Sequence, residues 1–172
     1  MFDTIGGIPL HPLIVHAVVV MVPLASLLLL LAALSPRIRA WGGLLTPIAT
    51  TIALALVPLA TQSGEALEKR VEASPALEEH TELGDSLLYF VLVLAIAAWA
   101  LWFVDRRSHT TPSEDGTGAQ GRSGLMMAVM VLSVVSVLAT SVQVVRIGHS
   151  GATATWQEDG AKPVPAGGGD GD

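Results

Sequence analysis

The chain alternates long apolar stretches with short polar ones. Four apolar runs occupy residues of about 13–34, 44–61, 86–104 and 125–146. Each is near the ~20 residues that cross a hydrocarbon core of ~30 Å. Leu, Val, Ala and Ile fall on every helical face of each run, whereas a soluble amphipathic helix confines them to one stripe. The pattern predicts an all-α protein: an integral membrane four-helix bundle.

The polar stretches predict what joins the spans. Residues 63–86, "SGEALEKRVEASPALEEHTELGDS", are rich in helix formers and broken at Ser74-Pro75. A serine before a proline, with Glu78 following, reads as an N-cap, a first-turn proline and an acidic first turn. The second and third helices therefore extend past the lipid as a helical hairpin on one side. The 35–42 stretch reads as a turn, and 105–124 as a mobile loop rich in Ser, Thr, Gly and Asp. The membrane domain spans residues 1–156, and the 157–172 tail has too little to bury and reads as disordered. No internal repeat is evident. The first run lacks a basic leader and exceeds the length of a signal-peptide core, so it reads as a retained helix.

Composition narrows the class of function. Of 172 residues, 51% are hydrophobic and only 14% charged, against about 25% charged in a soluble domain. A net charge of −6 argues against nucleic acid as a partner, because such binding needs clustered Lys and Arg. The absence of cysteine removes disulfides, thiolate metal sites and Cys nucleophiles. An even number of spans puts both termini on one side with the 62–86 segment. Arg37, Arg39, Arg106, Arg107 and Arg122 crowd the helix ends on the other side, against Lys69, Arg70, Arg146 and Lys162. That bias predicts a plasma (cytoplasmic) membrane protein with both termini outside. Trp41, Trp99, Trp102 and Phe103 form an aromatic belt at the inner face.

The candidate chemistry is histidine. In "LHPLIVHAVVV" (10–20), His11 and His16 open the first span; His80 opens the third and His149 follows Gly148, read as the end of the fourth. All four fall on the side of the termini. Five residues at 100° each leave His11 and His16 about 140° apart, so they converge only if His11 leaves helical geometry. His16 is therefore the first choice of ligand. Gly84 lies one turn from His80 on the same face and would let a flat ring approach the backbone. The alternative for that glycine is close helix packing; for the histidines it is a capping or interfacial role. On the fourth span Ser133, Ser136, Thr140 and Gln143 form one polar stripe that turns inward. Arg146, near that stripe, pairs with Glu79 or Glu82, clamps an acidic group such as a haem propionate, or snorkels to the interface. Pro23, Pro47 and Pro58 interrupt spans, with Thr46, Thr50 and Thr51 placed to satisfy freed carbonyls.

Taken in order, "GIPLHPLIVH" (7–16), "TQSGEA" (61–66), His80 with Gly84, and "RIGHSGATA" (146–154) resemble the bacterial membrane family of domain of unknown function number 2231. The resemblance covers about residues 7–156. It implies a small four-helix membrane protein and puts His11, His16, His80 and His149 at the family's histidine positions. Some related chains are joined to iron–sulfur or cytochrome c-type domains, which implies redox work near haem. With no cysteine there is no CxxCH attachment motif, so any haem is non-covalent.

Three functions follow. The first is a b-type haem redox or electron-transfer component, with His16 and His80 as axial ligands, His149 as substitute, and His11, Gly84 and Arg146 among the residues around the ring. The second is a divalent Zn or Cu site at the outer face made by His16, His80 and His149. The third is an accessory structural subunit without cofactor, partnered by the lipid bilayer and a redox partner or larger membrane complex. No acid, base and nucleophile set appears, so the residues favour a non-enzyme.

Overall fold

The computed structural model describes residues 4–5, 8–69, 74–110 and 116–160. An antiparallel pairing of β1 (Thr4–Ile5) with β2 (Ile8–Pro9) precedes the helices and is too small to alter the class. Five helices follow: α1 (Leu10–Leu34), α2 (Pro36–Gly42), α3 (Leu45–Glu68), α4 (Pro75–Thr110) and α5 (Gly116–Gly160). All but α2 are long and apolar enough to cross a membrane. Arg70, Lys162 and the 161–172 stretch lie outside the described residues.

Local chemistry sets the helix starts. Ser35 caps α2 by accepting from the Ile38 N–H at 3.5 Å, ahead of Pro36. Ser74 does the same for α4, accepting from the Leu77 N–H at 3.2 Å ahead of Pro75. In both, a hydroxyl satisfies an N–H that the first turn leaves orphaned, and proline removes another. The 35–42 turn is thus a short helix. Gly43 ends it at φ +44°, its N–H donating to the Arg39 carbonyl at 3.1 Å; a side chain there would strain the backbone.

Two sequence boundaries shift. Helix α4 runs on to Thr110 and α5 begins at Gly116, so most of the 105–124 loop is helical. Gly148 does not end the last helix, which continues to Gly160 and so includes the first four residues of the expected disordered tail. At ~1.5 Å per residue, 36 and 45 residues far exceed a ~30 Å core. Both helices are therefore longer than a single crossing needs.

Packing follows the inverted logic of a bilayer. Large residues such as Val20, Leu34, Tyr89 and Val145 are exposed on the outer faces. Small ones fill the centre: Ala25, Ala53, Ala97 and Ala98 are buried, and their size lets helix backbones approach closely. One core cluster centres on Val22, Val57 and Val91 and another on Leu29, Leu94 and Leu101. Ser133, Ser136, Thr140 and Gln143 all face inward, buried to within 3%. Gln143 Nε2 donates to the Leu83 carbonyl at 3.0 Å and to Ser86 Oγ at 2.6 Å, tying α5 to α4. The α3 hydroxyls bond differently from the sequence reading: Thr50 and Thr51 both donate to the carbonyl of Pro47 itself, at 2.9 and 2.7 Å.

Candidate functional site: a pair of held imidazoles

The starts of α1 and α4 meet the later turns of α3 and α5 at one end of the bundle, and His11 and His80 sit there. His11, half-buried in the first turn of α1, reaches α3. Its Nδ1 lies 3.1 Å from the Ala60 carbonyl and 3.1 Å from Ser63 Oγ. A carbonyl can only accept, so Nδ1 carries the proton and the Nε2 lone pair is free. Ser63 Oγ also donates to the Ala60 carbonyl at 2.9 Å, leaving its own lone pairs turned to the imidazole.

His80 repeats the arrangement against α5. Its Nδ1 lies 3.1 Å from Ser150 Oγ, and that hydroxyl donates to the Ile147 carbonyl at 3.0 Å. With the hydroxyl proton on the Ile147 carbonyl, Ser150 would accept from Nδ1–H and leave the Nε2 lone pair free, as at His11. Neither Nε2 has a hydrogen-bond partner among the described residues.

Glycine makes room for both rings. A Cβ on Gly64 would stand 3.1 Å from His11 Cε1, and one on Gly151 would stand 2.9 Å from His80 Cε1. Gly84 has no such neighbour: a Cβ there would meet nothing within 4 Å. The imidazoles themselves approach backbone at Gly64 and Gly151, because each histidine leans on the facing helix rather than its own. The signal for this was present as the dipeptide Ser-Gly in both "TQSGEA" and "GHSGAT", but nothing local says that a histidine 52 or 70 residues away rests on it.

The other candidates stand apart. His11 keeps helical geometry, and His16 falls on the exposed side of α1, its Nδ1 donating to the Pro12 carbonyl at 2.6 Å. His149 is exposed on α5, and so is Arg146, which makes no ion pair with Glu79 or Glu82 among the described residues. Among the described residues no group of three or more His, Asp or Glu side chains is arranged to hold a metal ion.

The far end of the bundle is organised around charge. Arg39 Nε donates to Asp105 Oδ1 at 2.8 Å, and its Nη1 donates to the Ala32 carbonyl at 3.1 Å, joining α2 to α4 and α1. Arg106 and Arg107 lie over Trp102 and Phe103 at 5.2 and 4.1 Å. Trp99 Nε1 donates to Thr51 Oγ1 at 3.1 Å beside an apolar groove between α3 and α4.

A four-span bundle with histidines at the starts of its first and third long helices can be set against known families. The family model described as "Predicted membrane protein (DUF2231)" matches residues 7–161. The chain belongs to this family. The match takes in β2 and all five helices of the DUF2231 bundle, leaves residues 1–6 and 162–172 outside, and contains both Ser-Gly pairs. No curated protein and no solved structure matches the chain.

Proposed function

We propose that this DUF2231 protein is a multi-pass membrane redox component that holds one b-type haem through His11 and His80. The observation that carries the reading is the pair of imidazoles on separate helices, each with Nδ1 held 3.1 Å from an oxygen of the facing helix and Nε2 without a partner among the described residues. Metal-ligating histidines are oriented in this way, their second nitrogen fixed by a carbonyl or hydroxyl that also raises ligand basicity. Donor count favours haem over a bare divalent ion. A Zn or Cu site needs three or four protein ligands, and no such set occurs among the described residues. Haem needs two, because the porphyrin supplies the other four. When bound it would supply one-electron chemistry; the residues here hold it and set its environment.

His11 replaces His16 in the pair because His16 is exposed and turned to its own helix. The crowding of Arg37, Arg39, Arg106 and Arg107 at the opposite end supports an outer-face site in the plasma membrane, with both termini outside. The test is haem titration of the detergent-purified protein. A Soret band saturating at one haem per chain, lost in both His11→Ala and His80→Ala but kept in His16→Ala and His149→Ala, is expected. A titration with no Soret shift overturns the reading.

A further inference from the structure

We infer that the two imidazole sites are copies of one unit, related by a half-turn about the bundle axis, and that Ser150 is a positioning residue that holds His80 in the Nδ1–H form, a role that the Ala60 carbonyl fills at His11 with Ser63 beside it. The inference deepens the haem reading and rests on it only for the identity of the ligand.

The helix arrangement carries the symmetry. Helices α1 and α4 run away from the histidine end, and α3 and α5 return to it. The most extensive packing is α4 on α5 and α1 on α3; α3 on α4 and α1 on α5 come next, and α1 scarcely touches α4. The four helices thus stand at the corners of a square, with α1 diagonal to α4 and α3 diagonal to α5. A half-turn exchanges each helix with its diagonal partner and each interface with its equivalent.

Register agrees with arrangement. The shift of 69 that takes His11 to His80 also takes Val18, Val22, Ala25, Ser26, Leu29 and Ala32 to Leu87, Val91, Leu94, Ala95, Ala98 and Leu101. Every one of these twelve is buried. The shift of 87 that takes Ser63 to Ser150 takes Gly64 to Gly151, and Thr46, Ala49, Thr50 and Ala53 to Ser133, Ser136, Val137 and Thr140. These eight core positions are likewise buried. The bonds match too: Nδ1 to Oγ is 3.1 Å in both units, and Oγ to the carbonyl three residues back is 2.9 and 3.0 Å. Few of the paired residues are identical, which is why the repeat is invisible in the sequence. What persists is His, Ser-Gly and the buried register.

The chemical consequence is a defined tautomer. With each serine's proton on the carbonyl of its own helix, the hydroxyl accepts from the ring and Nε2 is left unprotonated. His11 has a second acceptor in the Ala60 carbonyl; His80 has Ser150 alone.

Long-range proton–nitrogen correlation on the full chain labelled with 15N-histidine tests this, without haem and at a pH where the rings are neutral. His11 and His80 are expected in the Nδ1–H form, and His149, whose ring has no partner among the described residues, as a mixture. Ser150→Ala is expected to release His80 into a mixture, Ser150→Thr to retain the Nδ1–H form, and Ser63→Ala to leave His11 unchanged because Ala60 still accepts. Nε2–H at either ring of the unmodified protein, or an unaltered His80 in Ser150→Ala, overturns the inference. A missing Soret band with these tautomers intact would instead sink only the haem reading.

Discussion

The first hairpin (α1 to α3) and the second (α4 and α5) reach the same histidine geometry by different interior chemistry. The returning helix of the first buries Thr46 and Thr50 among Ala49, Ala53 and Val57, and Thr50 bonds only within its own helix, to the Pro47 carbonyl. The returning helix of the second puts Ser136, Thr140 and Gln143 at the centre and bonds Gln143 across to α4. The turns differ as well: α2 and Gly43 close the first, whereas α4 and α5 run on to the 111–115 segment. A membrane bundle tolerates this divergence because close packing and internal hydrogen bonding substitute for each other in holding helices together. The ring-bearing end is less tolerant, since an imidazole is placed by its bonds and by the space beneath it.

The comparison can be broken hardest where the hairpins are joined. Asp105→Asn removes the charge partner of Arg39, whose pair is 10% and 22% exposed. A loss of about 2 kcal/mol is expected, between the values for surface and buried pairs. Reversible unfolding in mixed micelles measures it, and a loss under a few tenths would show the far end to be held by packing alone.

Alanine at the two glycines separates the half-sites next. At Gly151 the new Cβ meets His80 at 2.9 Å, a contact that forces the ring to move, and a cost of about 1–2 kcal/mol is expected from overpacking. At Gly64 the distance is 3.1 Å, and the helix propensity gained over glycine, about 1 kcal/mol, offsets most of the strain. Equal costs in the two variants would mean that the rings lean on their glycines equally.

Gln143→Leu makes the second hairpin resemble the first, which has Leu56 at the equivalent position. It is expected to cost about 1 kcal/mol, within the range for interhelical hydrogen bonds in bilayers. A neutral result would show that the amide adds nothing to packing. The smallest effect belongs to Trp99→Phe, which removes the bond to Thr51 at a half-exposed position and should cost about 0.5 kcal/mol.

The spans, the Ser74-Pro75 start and the inward stripe on the last helix were legible in the residues. Twenty apolar residues dictate a helix in lipid whatever surrounds them, and polar residues within such a helix must turn inward. The end of α5 was not legible: Gly148 looks like a stop, but the helix continues past it to Gly160.

Sequence by itself determined the bundle, its four spans and the stock of imidazoles, because those depend on composition and local periodicity. Only the tertiary structure decided that His11 rather than His16 faces inward to a partner helix, that Gly64 and Gly151 lie beneath the imidazoles, and that two unlike hairpins share one register. Those facts depend on which helix stands opposite which, and contacts across 52 and 70 residues leave no mark on local pattern.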